Sequence, residues 1–385
     1  MKLDLEEIAK EVFKDKELFI EELQENRVKI WYKAHNVTNL KPVVLPKFIE
    51  LNKEFAEGIG LYVADGKTTP NDKRHIEFSS IDEDISLFML NFFILRLNTS
   101  LENIYIRIRY SNGNEDEIID KWSTALHIPT KKIVIRKYAK NKTDCFNLHI
   151  NSKILRIVFE RIIYISLNEI PKDFRLSQAF LRGHFAADGG LETRRNKNFV
   201  QIQKVIFAYH KTREIWLRKY IITLLKSNGI NSIEIKEYKD KETACIRINF
   251  WRNFHNIFEI KLFERSLRKK NIVMKCVRTS SIYLKLKPDF HRKLFNDLKM
   301  SQKEIAKIIN CLSYGQICDT VHGKHLLKLE QINNIIRKLN LSWQEVINNS
   351  IQVRIGQCSY VNLNNKSVNF ILNEKMLTNL ENPYF

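Results

Sequence analysis

Two segments of this chain, 123 positions apart, each carry one acidic residue in the same setting: Phe55–Gly66 reads FAEGIGLYVADG and Gln178–Gly189 reads QAFLRGHFAADG. Each is an apolar, helix-like stretch ending in Ala-Asp-Gly, so each delivers a carboxylate, Asp65 or Asp188, at a helix C-terminus. Ala56, Gly60 and Ala64 fall at i, i+4 and i+8, and Ala179, Gly183 and Ala187 do the same, which draws a stripe of small side chains along one face. Such stripes let two helix backbones approach closely. Helices meeting there, through Ala56, Gly60, Ala179 and Gly183, would bring both carboxylates together where two negative helix ends already point. That place calls for divalent cations.

The pair resembles the two motifs of a single-chain LAGLIDADG homing endonuclease. The family nonapeptide falls on Gly58–Gly66 and Leu181–Gly189, matching at Gly60, Ala64, Asp65 and Gly66 and again at Gly183, Ala187, Asp188 and Gly189. It departs at Gly58, Val63, Arg182 and His184, where the family varies. The resemblance implies a site-specific endonuclease, a monomer that uses Mg2+ or Mn2+ to cut double-stranded DNA, with the metal held by Asp65, Asp188 and the backbone carbonyls of Ala64 and Ala187. Phosphodiester hydrolysis needs an in-line water, neutralisation of developing charge and a stabilised leaving oxygen; each repeat would serve one strand. Family precedent adds a basic residue near each scissile phosphate. Lys269 and Lys270 have suitable spacing in the second repeat, and the first has no clear counterpart. The same resemblance admits two other functions: a non-catalytic DNA-binding regulator, from a branch that loses the acids, and an RNA maturase acting on its host intron.

The elements that must position these residues are legible in outline. The acidic stretch Leu5–Gln24 reads as a helix, and the prolines of Pro42–Pro46 mark a boundary. The first motif helix is expected from Ile49, followed by a strand and a helix near Ser86–Leu97. Asn103–Tyr110 alternates strictly, with Ile104, Ile106 and Ile108 on one face and Tyr105, Arg107 and Arg109 on the other. Arg136–Ile150 and Lys236–Phe250 share Tyr, Thr and Cys at an offset of 100, so about 23 extra residues belong to the first repeat, at Asn112–Lys131. Both read as hairpins, with Phe146, Leu148, Ile150, Ile246, Ile248 and Phe250 inward.

Outward candidates for DNA contact are Tyr105, Arg107, Arg109, Arg136, Asn147, His149, Lys236, Arg247 and Asn249, joined by Arg194 and Arg195 in the basic sequence after the second motif. The expected class is α+β: two pseudo-symmetric α-β-β-α-β-β-α halves, 49–170 and 171–285, forming a saddle over on the order of 20 base pairs. Small helical segments flank them at 1–48 and 286–347. In the latter, Ser301 and Glu304 have capping-box spacing, and Ser313–Thr320 takes the recognition position of a helix-turn-helix. Residues 348–385 form an Asn-rich tail.

Composition agrees. The chain of 385 residues has 64 Lys plus Arg against 44 Asp plus Glu, a net charge of +20, which favours polyanions with steep salt dependence. Six cysteines without a C-x-x-C pair suit reduced thiols in a cytoplasm. Cys318, His322 and His325 carry zinc-like residue types but fall in a helical pattern, where cysteine is ordinary core. The opening residues are too charged for a secretory signal, and the apolar run Leu87–Leu97 is too short for a membrane span. The end Asn382–Phe385 lacks an intein's splicing terminus, so a free-standing protein with no membrane partner is expected.

Overall fold

The computed structural model describes residues 1–33, 42–66, 75–138, 143–196, 199–239, 241–279, 281–299, 301–309, 314–324 and 326–355. The N-terminal segment is mixed rather than helical. β1 (Lys2–Asp4) leads into α1 (Leu5–Val12), capped by the Asp4 carboxylate. The rest of the expected helix is instead β2 (Leu18–Leu23), paired antiparallel with β3 (Arg27–Tyr32) and through it with β4 (Val43–Pro46). The cause lies at Glu25 and Asn26, whose φ values of 61° and 53° turn the chain back within the three-residue loop 24–26, so that Leu23 pairs with Arg27. β5 (Phe48–Glu50) pairs with β1 and takes Ile49 out of the motif helix, which begins only after the Asn52 cap.

The first repeat then runs α2 (Lys53–Asp65), β6 (His75–Ser80), α3 (Glu83–Asn91), β7 (Ile104–Tyr110), α4 (Glu115–Leu126), β8 (Ile133–Lys137), β9 (Cys145–Asn151) and α5 (Lys153–Glu169). A π turn, Phe92–Arg96, extends α3. Its sheet has the order β6–β9–β7–β8. The expected hairpin at Arg136–Ile150 does not form: β8 pairs parallel with β7, and β9 lies between β6 and β7, antiparallel to both. A parallel neighbour needs a crossover, and α4, in the inserted segment, supplies it. Ile104, Ile106, Ile108, Phe146, Leu148 and Ile150 all fill the core, along with Val158, Phe159 and Ile162 of α5.

The second repeat comprises α6 (Phe174–Asp188), β10 (Gly189–Asn196), β11 (Phe199–His210), α7 (Ile215–Ser227), β12 (Ile233–Glu237), β13 (Thr243–Asn249), α8 (Phe254–Glu259) and α9 (Leu267–Thr279), with sheet order β10–β11–β13–β12. Here β12 and β13 are neighbours as expected.

The chain forms two compact units. One comprises Met1–Gly190, Ile206–Arg247 and Ile260–Lys270, and holds both motif helices. The other comprises Leu191–Val205, Ile248–Glu259 and the chain from Asn271 onward.

In the second unit the C-terminal segment is not purely helical. β14 (Ile282–Leu286), α10 (Pro288–Asp297), α11 (Gln302–Ile309), α12 (Tyr314–Val321), β15 (Leu327–Lys328), α13 (Leu329–Leu339), α14 (Trp343–Asn348) and β16 (Ser350–Ile355) follow in order, and β14 pairs with both β15 and β16. The Ser301 amide and hydroxyl both donate to Glu304, at 2.9 and 2.7 Å. Ser313, the first residue of the expected recognition position, lies outside the described residues, and the rest of it falls on α12. Among the described residues no helix is long and apolar enough to cross a membrane.

Candidate catalytic centre

Helices α2 and α6 meet along the small-residue stripes. Ala56 and Ala179 are fully buried. A Cβ on Gly183 would stand 2.9 Å from the Glu57 carbonyl carbon and 3.1 Å from the Leu61 nitrogen, and closer still to the Glu57 oxygen. One on Gly60 would stand 2.9 Å from the His184 nitrogen and nearer still to the Phe180 oxygen. Only hydrogen fits at either position.

Both helices start and stop alike. Asn52 Oδ1 accepts from the Phe55 amide at 3.0 Å, and Asp173 Oδ1 accepts from Arg175 and Leu176 at 2.7 and 3.1 Å. At the other end the chain turns extended at Gly66 (φ −76°, ψ 141°) and at Gly189 (φ −71°, ψ 150°). Each glycine amide closes the last turn, onto Tyr62 O and Phe185 O respectively. A Cβ at either glycine would collide with that same carbonyl oxygen, which explains why Ala-Asp is followed by Gly twice.

The two ends leave Asp65 and Asp188 half-buried, and neither carboxylate accepts a hydrogen bond from the described residues. Burial raises Asp65 to about 6, opposed by the charge of Lys269. Burial and then the neighbouring Asp65 charge raise Asp188 to about 7. Lys269 is buried as well, 3% exposed, and burial brings its ammonium down to about 8. Its Nζ donates to the carbonyl oxygens of Phe185, Ala186 and Ala187 at 2.7, 2.6 and 3.1 Å. One lysine therefore faces two under-compensated acids at the foot of the helix pair. Lys270, the other expected basic residue, points elsewhere: it is paired with Glu264 at 3.0 Å and lies outside this cluster.

What delivers Lys269 is a set of residues that sequence reasoning missed. Glu57, 4% exposed on α2, binds Arg265 Nε at 2.8 Å and Arg182 Nη2 at 3.2 Å. Asp82 binds Arg268 through two hydrogen bonds at 2.7 and 3.1 Å and also accepts from Ser266 Oγ at 3.2 Å. Asp84 accepts from the Leu267 amide at 2.8 Å. The stretch 265–269 is thus fastened to α2 and to the start of α3 by three acids of the first repeat. The one available sequence signal was Glu57, a charged residue amid the apolar face of a motif helix.

Beside the second motif, His184 is fully buried between Phe180 and Phe207, with no hydrogen-bond partner on either ring nitrogen among the described residues. Burial drives it down to about 3, so it packs as a neutral ring.

The sheet residues divide. Tyr105, at 63% exposure, and Arg136, Arg194 and Lys236 are open, while Arg107 and Arg109 are half-buried on the same face. Asn147 is not available: it is buried and its side chain bonds to Ser79 Oγ, Cys145 O and Arg107 O. His149 is half-buried beside Glu77 at 3.5 Å. Arg247 is spent on Glu234 at 2.9 Å, and Asn249 Oδ1 accepts from the Arg252 amide at 3.0 Å. The Arg195 side chain lies outside the described residues.

No protein-family model and no curated protein matches the sequence. Solved structures of homing endonucleases are among those found similar. Mesophilic variants of the homing endonuclease I-DmoI align at 15% identity, over 55% of this chain and 96% of theirs, with a TM-score of 0.34. The meganuclease I-SmaMI bound to uncleaveable DNA aligns at 11% identity, over 75% of this chain and 97% of its own, with a TM-score of 0.30. Full-length DUF199/WhiA from Thermatoga maritima aligns at 14% identity over 85% and 93%, with a TM-score of 0.34.

Proposed function

We propose that this protein is a site-specific, divalent-metal-dependent DNA endonuclease. The observation that supports the reading is the close contact of α2 and α6 at their glycines, with two half-buried carboxylates at the helix ends that accept no hydrogen bond from the described residues and that both feel the charge of the buried Lys269. Oxygen donors of this kind suit a hard ion such as Mg2+ or Mn2+. Among the described residues no group of three His, Cys, Asp or Glu gathers as a metal cage, so Asp65, Asp188 and the carbonyls of Ala64 and Ala187 would share the ion with water and DNA phosphate. When bound, the ion supplies charge neutralisation and an activated water.

This chain's own residues do the rest. The carboxylates would fix the ion at the helix ends, the backbone contacts at Gly60 and Gly183 hold the two helices together, and the Tyr105, Arg107, Arg109 and Arg136 face supplies backbone and groove contacts. In this reading the stretches 49–170 and 171–285 act as pseudo-symmetric halves over double-stranded DNA, and the helix-turn-helix within 286–347 grips flanking sequence.

One observation favours a second reading, a DNA-binding protein that does not cut: Lys269 already brings a positive charge to the place where an ion would be needed. The two separate in one experiment. A library of randomised DNA is incubated with the protein and Mg2+, and both bound and cut molecules are sequenced. Cutting at a long, defined site supports the nuclease; selective binding of the same site with no cut ends in Mg2+ or Mn2+ leaves only the binding protein.

A further inference from the structure

The three N–H bonds of Lys269 all go to the last carbonyls of α6: Phe185, Ala186 and Ala187. An ammonium has three donors, so this one is fully used. Its position is fixed by backbone rather than by a loose side chain. Arg265, Ser266, Leu267 and Arg268, the four residues before it, are bonded to Glu57, Asp82 and Asp84. The buried Arg156, which also packs against α2, goes to different atoms: Nη1 donates to the Tyr62 phenol at 2.7 Å, and the guanidinium pairs with Glu160 at 2.7 Å. The two helix ends share a backbone shape, and among the described residues no lysine caps the last carbonyls of α2 as Lys269 caps those of α6.

Resting on the nuclease reading, we propose that Lys269 holds the cation position at the end of α6, so that its ammonium and a divalent ion compete for the Ala187 carbonyl. Two positive groups cannot share one carbonyl oxygen, a few ångströms apart, without strong repulsion. The two repeats therefore bind cations unequally. The Asp65 side loads first, and the Asp188 side loads when Lys269 withdraws from the α6 carbonyls.

The test is a Mn2+ titration of the full chain without DNA, followed by water-proton relaxation and by EPR of free Mn2+, with circular dichroism melting as the control for folding. The wild-type protein should bind one Mn2+ with at least tenfold higher affinity than a second. Asp65→Asn should remove the tighter site. Lys269→Met should strengthen the weaker site until the two agree within about threefold, and adding Asp188→Asn should abolish that gain. Arg268→Met releases the clamp while leaving the ammonium in place, and should strengthen the weaker site by a smaller factor; if Lys269→Met fails to fold, this variant decides. Two equal sites in the wild type, or no gain in either folded variant, would overturn the proposal while leaving the nuclease reading intact. A folded wild type that binds no Mn2+ at millimolar concentration would overturn both.

Discussion

The C-termini of α2 and α6 are built from nearly the same sequence, yet they are chemically different. Both stop at Asp-Gly with the same backbone turn, and both leave a half-buried carboxylate that no described residue hydrogen-bonds. Among the described residues only α6 has its final carbonyls capped by a lysine, and Asp188 is the more perturbed acid, at about 7 against about 6 for Asp65. Burial is the largest cause at both; the charge of Lys269 opposes it at each, while Asp188 faces two acid charges, those of Asp65 and Glu214, and Asp65 faces one, that of Asp82. A repeated motif fixes the backbone twice; the residues packed behind it decide what each copy can do.

Where the two helices touch, the comparison should be hardest to perturb without loss. Gly183→Leu and Gly60→Leu each force a side chain into the partner backbone, and should cost about 3 kcal/mol or more, above the usual range for overpacking because backbone cannot step aside. Chemical denaturation reads this directly. An equally stable Gly183→Leu protein would mean that the helices do not meet there.

Glu57→Ala comes next. It strands Arg182 and Arg265 around a vacated buried acid, a change that typically costs roughly 3 to 5 kcal/mol when one partner of a buried pair is removed, reduced here because Arg265 is 30% exposed. Thermal melting should show a loss smaller than that of the glycine variants, and no loss would indicate that the triad is solvated.

The two aspartates should respond to pH with the same sign and different size. Their folded pKa values lie above the ordinary carboxylate value of 3.8, so the folded protein holds extra protons between pH 3.8 and about 6 or 7, and stability falls as pH rises through that window. Replacing either acid by Asn should therefore stabilise the metal-free protein at pH 8, on the order of 1 to 3 kcal/mol, with the larger gain at Asp188→Asn. Below pH 4 the gain should vanish. Melting curves of both variants at pH 4 and pH 8 check the sign and the order.

Smaller again is the effect of the sheet face. Arg107→Ala or Arg109→Ala should lower the slope of log affinity against log salt by about 0.9 for each phosphate left unneutralised, while Asn147→Ala, being buried, should act on stability and leave the slope unchanged.

Those contrasts also mark what could be read in advance. The apolar period around Phe55–Gly66 and Gln178–Gly189, the glycine stripe and the strict alternation of Ile104–Tyr110 are local, and the folded chain keeps all three. The errors arose where long-range pairing overrode a local pattern. Leu18–Leu23 became a strand because Glu25 and Asn26 turn back, and β8 left its expected hairpin because α4 carries it to the far side of β7. Asn147 looked outward by parity and is outward, but its neighbours cover it. Lys269 is a candidate, together with Lys270, because the family resemblance calls for a basic residue and the spacing allows either. Its anchors were not legible, because Asp82 and Arg268 are far apart in the chain and neither has a motif of its own.

The central claim is that Asp65 and Asp188 together form a metal-dependent centre for cutting DNA. It is tested most directly by comparing wild type, Asp65→Asn and Asp188→Asn on one selected target, measuring binding in Ca2+ and strand cleavage in Mg2+. The account predicts equal or slightly tighter binding by both variants, and no double-strand cleavage by either. Double-strand cleavage by either variant at the wild-type rate would contradict it.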